Sequence, residues 1–162
     1  MKKILFLATI TIGLFAACSE NKVVLDETHE FADAKWQRFE PESFKFDISD
    51  TAACYDIYFR FRIDTATFRP DMLPFICTLI ENEDYKRQLT TEIAIRDKRG
   101  IWLGNPVGRY YEFDRKVREY FFFNAKGPHE LLVKNGSQYF ETEGILTFGV
   151  KIVKVNMDLK IE

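Results

Sequence analysis

The sequence predicts an all-β protein: a single antiparallel β-sandwich, with the jelly roll as one form it can take, following a cleaved signal peptide. Three observations carry this expectation. Aromatic residues make up 15% of the chain, with 16 Phe. They recur in short segments that alternate apolar with polar residues, the period of a strand rather than of a helix. Turn-forming Gly, Pro, Asn and Asp punctuate these segments about every ten residues, and no internal repeat or linker breaks the series.

The chain begins with an export signal. Lys2 and Lys3 precede a mostly apolar run from Ile4 to Phe15, and small Ala16 and Ala17 stand before Cys18. The run is interrupted by Thr9, Thr11 and Gly13, and it is shorter than the roughly 20 apolar residues that span a bilayer. Phe15-Ala16-Ala17-Cys18 resembles a lipobox, in which the cysteine thiol takes a diacylglyceryl group and the new N-terminus is acylated by a chain of the palmitate type. Phe15 stands where Leu is usual. The expected organisation is a signal peptide at 1–17, a lipidated tether at 18–26 and the sandwich at 27–162. By likeness to lipoprotein sorting, Ser19 after the cysteine favours the outer membrane, with the periplasmic face preferred over the surface.

Loss of residues 1–17 removes Lys2 and Lys3 from the 23 basic side chains, leaving 21 against 25 acidic ones. That acidic balance gives no footprint for nucleic acid. Roughly 145 residues remain, enough for one domain with its own core. Cys54 and Cys77 lie in a compartment where disulfides persist. They read either as a bridge or as two small buried apolar groups.

Along the mature chain, Trp36–Phe39 and Phe44–Ile48 read as two strands separated by Pro41 and Glu42. In Tyr55–Ile63 the alternation is clearest, with Tyr55, Ile57, Phe59, Phe61 and Ile63 on one face and Asp56, Tyr58, Arg60 and Arg62 on the other. A connection containing Pro70 and Pro74 leads into the strand Phe75–Ile80. The polar turn Glu81-Asn82-Glu83-Asp84 joins it to Gln88–Arg96, where Leu89, Thr91, Ile93 and Ile95 share a face. Asp97-Lys98-Arg99-Gly100 supplies a tight turn before Ile101-Trp102-Leu103-Gly104. Tyr110–Phe113, Glu119–Phe123, His129–Val133 and Gly144–Val155 complete the strand candidates.

Taken together, the lipobox, the aromatic strand with Arg60 and Arg62, the segment Asp97-Lys98-Arg99-Gly100-Ile101-Trp102-Leu103-Gly104 and the closing Gly144-Ile145-Leu146-Thr147-Phe148-Gly149-Val150-Lys151-Ile152 resemble the GldH family of gliding-motility lipoproteins of Bacteroidota. Phe68-Arg69-Pro70-Asp71-Met72-Leu73 departs from the family's Tyr-Pro-x-x-Asn-Leu stretch, with Arg69 inserted and Met72 in place of Asn. The resemblance implies a lipid-anchored cell-envelope subunit of the gliding apparatus and its associated protein-secretion system. Its expected partners are the membrane, through the lipid on Cys18, and other envelope proteins of such a complex.

Nothing in the residues points to catalysis, and no cofactor is expected. His29 and His129 lack metal-ligand spacing, no Gly-x-Ser-x-Gly elbow or phosphate-cradling loop occurs, and the acidic turns name no acid and base pair. The expected role is therefore non-enzymatic and works through protein contacts. Its candidate interaction loop holds Asp97, Gly100, Trp102, Leu103, Gly104, Tyr110 and Tyr111. Those rings serve either as a recognition platform or as caps on the core. A carbohydrate-binding lipoprotein for glycan capture is the alternative reading.

Overall fold

Period-two segments fold as antiparallel strands in the computed structural model, which describes residues 22–82 and 85–155. The signal peptide, Cys18, Glu83 and Asp84 lie outside the described residues. The strands are β1 (Lys22–Glu30), β2 (Lys35–Gln37), β3 (Glu42–Ile48), β4 (Cys54–Asp64), β5 (Met72–Ile80) and β6 (Lys86–Ala94). They continue with β7 (Asn105–Val107), β8 (Tyr110–Phe121), β9 (Gly127–Asn135), β10 (Glu141–Glu143) and β11 (Ile145–Val155). One sheet runs β1-β11-β4-β8-β7 and the other β3-β9-β5-β6, with β10 and β2 forming a separate two-stranded ribbon. The long strands alternate between the two sheets along the chain, except that β5 and β6 follow one another as a hairpin in the same sheet. Their order, β1-β11-β4-β8 over β3-β9-β5-β6, is that of an eight-stranded jelly roll.

Aromatic rings join the two sheets. Phe75 of β5 lies 5.2 Å from Phe59 and 5.3 Å from Phe148, ring centre to ring centre. Phe44 of β3 meets Phe148 edge-on at 5.9 Å. Such stacked and edge-on pairs add to the stabilisation that burial itself gives. As the alternation predicts, Tyr55, Ile57, Phe59, Phe61 and Ile63 are all buried.

Register defines two ends. Lys22 pairs with Lys154, Lys154 with Tyr55, and Tyr55 with Phe121, so one row of residues crosses the five-stranded sheet. At the other end Glu30 pairs with Thr147, Thr147 with Arg62, and Arg62 with Glu112. These are called below the Lys22 end and the Asp64 end. The β2–β10 ribbon closes the Asp64 end, because Gly144 donates to the carbonyl of Ala34 and Asp64 donates to that of Gly144, both at 2.8 Å. Gly144 has φ +83, and a Cβ there would sit 2.5 Å from the Phe68 nitrogen, so only glycine fits.

Several elements differ from expectation. Residues 22–26, expected within the tether, form the first half of β1. Its burial pattern hides the strand, because β1 is an edge with a register shift between Val23 and Leu25 and only Leu25 fully buried. Tyr110–Phe113 and Glu119–Phe123 are not two strands; β8 runs unbroken through the polar stretch between them, held by its pairing to β4. Ile145–Val155 is one strand as expected, and only Gly144 falls outside it, its positive φ separating β10 from β11. Pro74 sits inside β5 rather than at its entrance. There β5 pairs with β6 alone, because its pairing with β9 starts at Phe75. Asp56, expected on the solvated face, is buried and paired with Lys116 at 2.5 Å. The lysine is held charged mainly by that bond, which raises its pKa.

Cys54 and Cys77 are free and buried rather than bridged. They stand on strands of opposite sheets, Cys54 beside the Val155 carbonyl and Cys77 between Ile57, Leu89 and Leu131. Burial pushes the Cys77 thiol up to about 12, so it behaves as an inert apolar group.

One side of the sandwich is closed by charge. His29 of β1 contacts Glu42 of β3 at 2.5 Å and Glu27 at 2.9 Å, and its ring stacks on Phe44 at 4.6 Å. Burial favours the neutral ring, but the two carboxylates outweigh it and raise the pKa above 6.5. A raised native value stabilises the fold fully below the unfolded-state pKa, and the gain fades as pH climbs through the native value. The thermal advantage of the unsubstituted protein over His29→Gln is expected to be larger near pH 6 than near pH 8.5. An advantage that is constant across that range would show that the proton on His29 is not the source.

Candidate functional site

The Asp64 end gathers the residues singled out from the sequence. Asp97 builds the turn: its carboxylate accepts from the backbone N–H of Arg99 at 2.8 Å and of Ile101 at 2.9 Å, and Gly100 takes φ +80. The bond from Ile101 leads in holding the Asp97 carboxyl below the usual range. Gly104 is a packing position, because a Cβ there would lie 2.7 Å from the Phe113 ring. Trp102 bridges to Arg96, whose guanidinium lies 3.9 Å from the centre of its ring, and stacks on Tyr111 at 5.3 Å. Trp102 and Tyr111 pack half-buried against the core. Tyr110 stands apart under the Arg109 guanidinium at 4.9 Å. Of the expected loop residues Leu103 is exposed, in company with Ile101 and Val107.

Arg96 ties this loop to the next. Its Nη1 donates to the Arg69 carbonyl at 3.0 Å and its Nη2 to the Phe68 carbonyl at 3.1 Å. Beyond Arg69 lies a groove of about 480 Å³, walled by Thr67, Arg69 and Pro70 on one side and by Tyr139, Phe140 and Glu141 on the other. The ribbon supports it from below. Asn135, fully buried, donates to Thr142 Oγ1 at 2.6 Å and to the Trp36 carbonyl at 3.3 Å. Lys35 pairs with Glu141 at 2.8 Å and Gln37 donates to the same carboxylate at 3.0 Å.

The exposed rings in and beside this groove are the part that sequence reasoning missed. Phe140 is 77% exposed, Phe39 68% and Tyr139 56%, the three highest values among the large apolar side chains described. Phe39 and Phe140 lie 6.1 Å apart, and the Arg38 guanidinium sits 5.8 Å from the Phe39 ring. About 100 residues of sequence separate them. They meet because Trp36 pairs with Thr142 and Arg38 donates to the Phe140 carbonyl at 2.8 Å. Only that long-range pairing brings them into view.

Among the described residues no group of three or more His, Cys, Asp or Glu side chains is placed to hold a metal ion. Fold and surface together define the class: an antiparallel jelly roll carrying an apolar, ring-rich patch at one end. Residues 23–152 match the model of the GldH lipoprotein family, and the chain belongs to that family. It is therefore a lipoprotein, anchored in a membrane of the cell envelope. No curated protein matches the chain. Among solved structures, an Eiger TNF from S. frugiperda is similar over 86% of this chain and 98% of that one, at 12% identity and a TM-score of 0.46.

Proposed function

We propose that this protein is a non-enzymatic adaptor of the gliding and associated secretion machinery. It is lipidated at Cys18, held on the periplasmic face of the outer membrane, and binds another envelope protein through its Asp64 end. The observation that carries this reading is the grouping of three rings, each more than half exposed: Tyr139 and Phe140 line one groove, and Phe39 lies 6.1 Å from Phe140. Contiguous exposed aromatic surface of this kind marks binding sites.

Topology supports the orientation. Lys22 begins β1 four residues after Cys18, and β1 then runs nine residues towards the Asp64 end. At about 3.3 Å per residue the strand carries the chain roughly 30 Å from its start. The ring-rich end is thereby presented away from the anchored one.

Two substitutions test the two halves of the proposal. Cys18→Ala is expected to release the folded protein from the membrane fraction. Phe39→Ser combined with Phe140→Ser touches no buried contact of the core. It is expected to leave the melting temperature unchanged and to abolish recovery of gliding or secretion subunits in pull-downs from solubilised membranes. Undiminished recovery with the folded double variant would overturn the assignment of the partner site. Capture of glycans on an array, with no protein partner recovered, would replace it with carbohydrate binding.

A further inference from the structure

A second exposed aromatic group occupies the opposite end. Tyr120 is 50% exposed, Phe122 44% and Tyr85 43%. Arg87 links two of them: its Nη2 donates to the Phe122 carbonyl at 3.1 Å, and its guanidinium lies 6.0 Å from the centre of the Tyr85 ring and 4.5 Å from that of Phe121. Arg87 is itself fixed by the fully buried carboxylate of Glu81. Tyr120 takes φ +50, a left-handed conformation costly for a non-glycine residue. Its N–H donates to the buried Asp56 carboxylate at 3.1 Å, which holds the strained backbone in place.

We propose that this end is a membrane-contact face, with Tyr85, Tyr120 and Phe122 seated in the headgroup region of the bilayer that carries the lipid anchor. The inference rests on lipidation at Cys18. Phe121 lies in the same cross-sheet row as Lys22, three strands away, which is about 14 Å. Only three residues, Ser19-Glu20-Asn21, join Cys18 to Lys22, four steps along the chain and a reach of at most about 14 Å when extended. An acylated Cys18 therefore keeps this end within a side chain's length or two of the lipid.

The chemistry fits that occupant. Tyr places an apolar ring and a polar hydroxyl across the boundary between acyl chains and water, and is enriched there. Lys22, Lys86 and Lys126 are exposed and form no ion pair among the described residues, whereas Asp50, Asp56 and Glu81 are each taken up by a cation. With exposed Asp47 and Glu119 also in this half of the molecule, ring insertion rather than net charge governs the contact.

The test uses the lipidated protein reconstituted into vesicles of phosphatidylethanolamine and phosphatidylglycerol. An environment-sensitive fluorophore is placed at Phe122→Cys, at Tyr85→Cys as a second position on the face, and at Phe39→Cys on the far end. The buried Cys54 and Cys77 escape labelling. With a spin-labelled lipid quencher near the headgroup, the labels at 122 and 85 are expected to lose most of their emission and the label at 39 to keep its own. Equal quenching at both ends in protein that still floats with the vesicles would overturn the membrane face and leave the anchor standing. Protein that does not float at all would remove the anchor and this face together.

Discussion

Trp36→Ala is expected to lower the stability of the protein by about 3–5 kcal/mol, the usual cost of deleting a buried indole, and to destroy the groove as well. Trp36 is 1% exposed and lies 4.8 Å from Phe148, 4.9 Å from Phe31 and 5.9 Å from Phe75, so its ring touches both sheets. It is also a residue of the short β2 strand, paired with Thr142, and its carbonyl accepts from Asn135. A three-residue ribbon has little stability of its own. The indole is what fastens that ribbon to the core, and Phe39 and Phe140 ride on it. Denaturant unfolding measures the first effect. Amide exchange at 138–143, rising out of proportion to the global loss, measures the second. A loss under about 1 kcal/mol would mean that the ribbon is held by its own hydrogen bonds instead.

Glu81→Ala is expected to cost about 3 kcal/mol by leaving Arg87 without its buried partner. The Glu81 side chain is fully buried and does two jobs at the Lys22 end: it pairs with Arg87 and accepts from the Asn124 N–H at 2.7 Å. Without it the guanidinium loses the bond that fixes it beneath the rings of Tyr85 and Phe121, and the Tyr120–Asn124 segment loses a tether. Thermal melts are expected to fall by several degrees, on the order of 2–4 °C per kcal/mol for a chain of this size. The double replacement Glu81→Leu with Arg87→Leu is expected to recover part of the loss, since apolar groups of similar volume often substitute for a buried pair. A double variant no better than the single one would show that the bond to Asn124 matters more than the charge on Arg87.

The strands legible in the sequence were those whose two faces differ. In β4, Tyr55 to Ile63 alternates without a break because one face meets the other sheet and the other, apart from buried Asp56, is partly open to solvent. β1 offered no such pattern, since an edge strand with a bulge and one buried residue leaves too little contrast to read. β8 reads as two segments because Asp114 to Arg118 is mostly charged and lacks an apolar period, yet pairing with β4 carries the backbone through it.

The candidate site was legible in part, for a similar reason. The turn at Asp97 and the need for glycine at 104 are local properties, and the two sequence readings of Trp102 differ only in burial, which the stack against Tyr111 and Arg96 decides as half-buried. Phe39 closes a segment that reads as a strand, and Phe140 stands outside every strand candidate. Their exposure follows from the path of the ribbon across the end of the sandwich, which no local pattern encodes.

The central claim is that the end carrying Phe39, Tyr139 and Phe140 holds a protein partner. A photo-crosslinking amino acid placed at 140 in living cells tests it most directly, with Lys45, exposed on the outer face of β3, as the comparison. The account predicts discrete crosslinks from 140 to an envelope protein of the gliding or secretion apparatus and none from 45. Lipidated, folded protein that gives no protein crosslink from 140, or the same crosslinks from both positions, would contradict it.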